Sequence, residues 1–152
     1  MYTNLSADLR IQFPGLLYHL THAREVLEYL RPRYRMYILS NGFTELQSRK
    51  MHSAGIESYF DGVILSEDIG VNKPNPEIFY HALRVAGVGA SEALMIGDNL
   101  EVDIAGASRV GIDQVYYDLV ASGDDAVSLK PSPTYVISSL LDLKGPRSKA
   151  PP

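Results

Sequence analysis

The chain has 152 residues, no cysteine or tryptophan, and 18 acidic against 14 basic side chains, a net charge of −4. With 45% hydrophobic and 21% charged residues, this composition suits one globular domain and excludes disordered, collagen-like and coiled-coil chains. The mildly acidic balance argues against a nucleic-acid partner, the lack of thiols removes disulfides, thiolate zinc sites and a cysteine nucleophile and suggests a cytoplasmic setting, and no apolar run approaches the ~18 residues of a membrane span.

Met1–Arg10 is too polar for a signal peptide, and in residues 1–20 Leu9, Ile11 and Phe13 alternate with Arg10 and Gln12 until Pro14 and Gly15 break the pattern. A helix is predicted around Ala23–Leu30, then a strand over Met36–Leu39. Thr44 and Gln47 have capping-box spacing for a helix over 45–54 that stops at Gly55. A second strand falls at Gly62–Leu65. Asn75 then caps a helix with Pro76 in its first turn, an apolar face of Ile78, Phe79, Ala82 and Leu83, and Gly87 at its end. Strands at Ala93–Ile96 and Gln114–Tyr117 flank a helix near Leu100–Arg109, whose Ala105, Gly106 and Ala107 allow close approach to the sheet. An irregular excursion over 119–134, a last strand at Tyr135–Ile137 and a polar tail over 144–152 complete the chain. Strand starts lie roughly 20 to 30 residues apart and the strands are apolar on both faces, which predicts a three-layer α/β domain around a parallel sheet.

Ligands of such sheets bind beyond the carboxyl ends of the strands. After the first apolar run stands Ser40-Asn41-Gly42, a hydroxyl followed by a turn whose amides can face an anion. After the third stands Gly97-Asp98-Asn99, with Asp103 five residues beyond Asp98. Two carboxylates without thiolate or imidazole suit Mg²⁺. Between these motifs, prolines at 74 and 76 stiffen the chain beside Lys73, whose ammonium can screen a phosphate. Together these groups fit phosphoryl transfer, which depends mainly on anion positioning and charge neutralisation.

In order and spacing, Ile38–Gly42, Lys73–Phe79 and Gly97–Asp103 resemble the second, third and fourth motifs of haloacid dehalogenase-superfamily hydrolases, over about residues 20–143. The resemblance implies a Rossmann-like fold, a Mg²⁺-dependent phosphatase rather than a dehalogenase, phosphate contact by Ser40, Asn41 and Gly42, stabilisation of the intermediate by Lys73, and Mg²⁺ held by Asp98 with Asp103. Substrates would be small phosphorylated metabolites, and Tyr59–Gly70 is similar to members acting on nucleoside monophosphates. The family's first motif, Asp-x-Asp-x-Thr, supplies its nucleophile, and this sequence contains no Asp-x-Asp. Asp8 is expected to be a surface residue.

The family's first strand and most of its cap are therefore expected to be missing, with 1–20 a linker or cap remnant, 21–143 an incomplete core and 144–152 a flexible tail. A gap in mid-sheet would orphan buried backbone groups at roughly 1 to 3 kcal/mol each. It would have to be filled by residues 5–13, by a second copy or by an upstream segment. The last is the expectation preferred here: the C-terminal part of a longer, truncated hydrolase, inactive alone, against the alternative of a catalytically dead binding or oligomeric module. Glu67 and Asp68 are expected at the rim. His19 and His22 lack an evident third metal ligand, His52 and His81 are expected on helix surfaces, and Arg31, Arg33 and Arg35 with Tyr34 read as a helix-to-strand turn.

Overall fold

The computed structural model describes residues 8–11, 20–42, 45–118 and 131–144. In chain order its elements are β1 (Asp8–Ile11), α1 (Leu20–Leu30), β2 (Arg35–Ser40), α2 (Glu45–Ala54), β3 (Gly62–Leu65), α3 (Pro76–Ala86), β4 (Ala93–Gly97), α4 (Ala105–Arg109), β5 (Asp113–Tyr117) and β6 (Tyr135–Ile137). A strand covered on both faces must be apolar at successive residues, because side chains alternate in direction. β2 does this, with Met36 to Ser40 all buried behind an exposed Arg35. Met36 and Ile38 pack with Ala23, Val26, Leu27 and Leu30 of α1, whereas Tyr37 and Leu39 pack with Ile78, Phe79 and Ala82 of α3. β4 divides likewise, Ile96 to the first cluster and Ala93 and Met95 to the second. The result is the expected three-layer α/β arrangement. No helix among the described residues is long and apolar enough to cross a membrane.

The strands pair in parallel in the order β3-β2-β1-β4-β5-β6. The mid-sheet position expected to be empty is therefore filled. Leu9 stands opposite Met36 on one side and Leu94 on the other, and Ile11 is opposite Ile96. This corrects the expectation of a sheet without its central strand, and it moves residues 8–11 from the linker assigned to 1–20 into the core. The physical reason is the cost that made a gap untenable: buried N–H and C=O groups of β2 and β4 need ladder partners, and a four-residue segment satisfies them. Residues 12–19 and 119–130, Thr44 of the expected capping box, and the tail beyond 144 lie outside the described residues.

α3 shows how closely local chemistry sets an element. The Asn75 side chain accepts from the Glu77 N–H at 3.0 Å, Pro76 opens the helix, and Gly87 closes it at φ 70° with its N–H on the Leu83 carbonyl. Fully buried Ile78 and Phe79 each contribute about 1.5 to 3 kcal/mol of burial.

The helix expected over Leu100–Arg109 instead begins as a widened turn, Leu100–Ile104, before α4. There the Asn99 carbonyl receives both the Asp103 and the Ile104 N–H, at 2.9 and 3.2 Å, an i→i+5 pattern often found at functional sites. The small residues of α4 do permit a close approach, but to α3 and its entry loop: a Cβ at Gly106 would lie 2.5 Å from the Phe79 ring and 3.2 Å from Pro74 Cα.

Candidate functional site

β2 and β4 both neighbour β1, so their carboxyl ends stand two strand spacings apart, roughly 10 Å. Ser40 ends one and Gly97 the other, which places Ser40-Asn41-Gly42 and Gly97-Asp98-Asn99 at the same edge of the sheet, one on each side of β1.

Lys73 enters the same region from the loop before α3, and its side chain is fully covered. Its Nζ lies 2.6 Å from Asp103 Oδ1, and the Asp103 side chain is 1% exposed. Burial pulls the Lys73 pKa below its ordinary value, while the charges of Asp103 and Asp98 pull it back up. The widened turn makes the pairing possible, because it folds Asp103 back so that Oδ2 also accepts the Asn99 N–H at 3.2 Å. Gly97 makes room: a Cβ there would stand 2.5 Å from Asp103 Cβ and Oδ2. Asp103, expected as a metal ligand beside Asp98, is thus engaged by Lys73 and a backbone amide.

Asn41 has a use that sequence reasoning missed. Its Nδ2 donates to the Lys73 carbonyl at 3.0 Å and its Oδ1 accepts the Lys73 N–H at 2.6 Å, so one side chain satisfies both polar groups of Lys73's backbone. The Asn41 carbonyl in turn accepts from Ser66 Oγ at 2.8 Å. Ser40 Oγ donates to the Gly42 carbonyl at 2.6 Å and accepts the Gly42 N–H at 3.2 Å. Among the described residues, a Cβ on Gly42 would meet nothing within 4 Å, so their packing does not demand glycine there. The similarity of Ile38–Ser40 and Ile64–Ser66 was the available signal for Ser66.

Asp98 is half-buried at the tip of β4, and its charge raises the pKa of Tyr116, after burial and Asp118. Tyr116 is opposite Gly97 in the sheet register. Among the described residues no three His, Cys, Asp or Glu side chains converge as a metal cage. The hard carboxylate oxygens of Asp98 still fit Mg²⁺, which is commonly held by one or two carboxylates with waters and substrate phosphate. Asp98 is the residue placed to hold such an ion, which would supply positive charge at the tip of β4.

The other singled-out residues go to structure. Arg31 pairs with Asp61 at 3.1 Å, Arg33 lies 4.1 Å over the Tyr29 ring, and Arg35 donates to the Ala86 carbonyl at 3.0 Å. Asp68 accepts the Leu65 N–H at 2.8 Å, and Glu67 is exposed beside it. His22 is exposed on α1, His81 is half-buried on α3, and exposed His52 lies 3.0 Å from Glu57; His19 lies outside the described residues. Asp8 pairs in register with Arg35 and Ala93, the first residues of β2 and β4, at the opposite end of the sheet from Ser40 and Asp98. The next carboxylate in the sequence is Glu25, on α1.

A family model described as haloacid dehalogenase-like hydrolase matches residues 7–111. N-acylneuraminate-9-phosphatase of Rattus norvegicus is 34% identical over 130 residues, 84% of this chain and 52% of the relative. Pyrimidine 5'-nucleotidase YjjG of Escherichia coli is 32% identical over 144 residues, 94% of this chain and 60% of the relative. Among solved structures, the putative HAD-hydrolase YfnB of Bacillus subtilis bound to magnesium superposes with a TM-score of 0.69 at 29% identity, covering 80% of this chain and 52% of that one. The chain spans about half the length of the first of these relatives.

Proposed function

Because the chain belongs to the haloacid dehalogenase-like hydrolases, we propose that it supplies the phosphate-binding, lysine and Mg²⁺-binding side of a phosphate monoester hydrolase site. The observation that carries this reading is the buried Lys73–Asp103 pair, fastened through Asn41 to the Ser40-Asn41-Gly42 turn, with the Asp98 charge also acting on Lys73. A phosphate placed there would receive the Gly42 N–H and the Ser40 hydroxyl, which must turn from its present bond to the Gly42 carbonyl. Lys73 supplies positive charge, held in place by Asp103 and pre-oriented before any ligand arrives. Mg²⁺ on Asp98 would add further neutralisation.

In the family's chemistry an aspartate forms a phosphoaspartyl intermediate, and this chain holds no Asp-x-Asp. We therefore propose that the 152-residue protein binds phosphate and Mg²⁺ but turns over almost nothing by itself. The substrate class is a small phosphate monoester; the likeness to N-acylneuraminate-9-phosphatase and pyrimidine 5'-nucleotidase supports that class, and the Tyr59–Gly70 stretch favours a nucleoside monophosphate within it. Isothermal titration should detect inorganic phosphate binding that strengthens with Mg²⁺, while p-nitrophenyl phosphate stays intact. Rapid Mg²⁺-dependent hydrolysis by protein of verified mass would overturn the inactive part of the reading, and absence of phosphate binding would overturn the whole.

A second reading, a phosphate-binding module with no hydrolytic partner, is favoured by β1, which completes the sheet without bringing a carboxylate to its carboxyl end. Supplying an N-terminal segment with an Asp-x-Asp separates the two. Restored hydrolysis supports the hydrolase reading, and continued inertness supports the module.

A further inference from the structure

We propose that Ser66 is a positioning residue of the phosphate site, acting through the Asn41–Gly42 peptide; the inference rests on the phosphate-binding reading above. Ser66 follows β3, one strand outward from β2, and is buried. Burying a hydroxyl costs free energy unless it is hydrogen-bonded, and alanine would fill much the same space, so packing alone does not call for serine. Its Oγ donates to the Asn41 carbonyl at 2.8 Å.

That bond sets a direction. The Asn41–Gly42 peptide is trans, so its carbonyl and N–H point to opposite sides. Holding the carbonyl towards Ser66 turns the Gly42 N–H the other way, towards Ser40 Oγ at 3.2 Å. This amide is a backbone donor at the end of β2, and among the described residues nothing lies within 4 Å of a Cβ built on Gly42. The same serine steadies the residue whose side chain bonds both the N–H and the carbonyl of Lys73. One hydroxyl therefore links the end of β3 to the phosphate turn and, through Asn41, to the lysine loop.

The test measures inorganic phosphate binding by Ser66→Ala and Ser66→Thr proteins with isothermal titration, alongside urea stability. Resonances of the Gly42 amide and the Asn41 side-chain amide are recorded in 15N-labelled protein with and without phosphate. Ser66→Ala should weaken phosphate binding about tenfold, which equals about 1.4 kcal/mol, and should move both signals in ligand-free protein. Ser66→Thr keeps the hydroxyl and should restore affinity and both signals. A Ser66→Ala protein with a lower urea midpoint but unchanged affinity and an unchanged Gly42 signal would make Ser66 merely structural and overturn the proposal. If the parent chain does not bind phosphate, the functional reading fails separately. The ligand-free signals then decide: movement in Ser66→Ala with recovery in Ser66→Thr supports positioning, and no movement overturns it.

Discussion

Replacing Lys73 by Met and Asp103 by Leu, singly and together, tests whether their ion pair is a closed unit. The two charges are 2.6 Å apart on side chains that are 0% and 1% exposed. At that distance the attraction is about 6 kcal/mol for an effective dielectric constant of ~20, and desolvation offsets it by several kcal/mol per ion. The intact pair is thus worth little net, whereas either single substitution strands a buried charge and costs about 3 to 5 kcal/mol. Asp98 also acts on the Lys73 charge, so Asp103→Leu should fall at the lower end of that range. With both charges gone, the double variant should lie within about 2 kcal/mol of the parent, which sets the coupling at about 4 kcal/mol or more. Urea denaturation followed by circular dichroism measures all four proteins, provided the slope stays constant across them. Single effects that add to within about 0.5 kcal/mol would show that each charge has adequate partners elsewhere, and would refute the closed pair.

Leu9→Pro should destabilise the domain by about 3 kcal/mol or more, since proline deletes a ladder donor in mid-sheet; Val136→Pro, on edge strand β6, should cost clearly less, and equal urea midpoints would deny β1 its central place. Gly97→Ala puts a Cβ 2.5 Å from Asp103 and should cost about 1 to 3 kcal/mol by overpacking, with weaker phosphate binding; an unchanged melting curve would show that Asp103 yields freely. Asp98→Asn should abolish the Mg²⁺ enhancement of phosphate binding, and a retained enhancement would place the cation elsewhere. The lowered Lys73 pKa means that the unfolded chain binds more protons than the folded one between that value and the ordinary 10.5. Stability should therefore rise with pH through this window. The rise should vanish in Lys73→Met, and an equal slope in parent and variant would assign it to another group.

What could be read from the sequence, and what could not, follows from how far each feature depends on distant neighbours. Met36–Leu39 and Ala93–Ile96 were legible as strands because burial on both faces leaves an unbroken apolar run. α3 was legible because Asn75, Pro76 and Gly87 do their work within a few residues of where they stand. Ser40 and Asp98 could be placed at strand ends, and Lys73 just before α3, for the same reason. The Lys73–Asp103 contact could not be read, because it depends on a widened turn that a helical pattern over Leu100–Arg109 does not announce. The Asn41 side chain was likewise assigned through its backbone, since its reach to Lys73, 32 residues away, exists only after β2 and the loop before α3 are brought together.

β1 separates two requirements that a motif-based reading had joined. Asp8, Leu9, Arg10 and Ile11 carry no run of apolar residues, and what makes them a strand is hydrogen bonding to a formed neighbour on each side. A central strand position asks only for backbone donors and acceptors in register, which most short segments can offer. A nucleophile asks for a carboxylate at the carboxyl end of that strand, and in this chain the acids bracketing it, Asp8 and Glu25, lie at the far end of the sheet and on α1. The sheet can therefore be complete in its hydrogen bonding whether or not a carboxylate stands at the carboxyl end of β1. Stability and phosphate affinity thus report on the first requirement, and hydrolysis reports on the second.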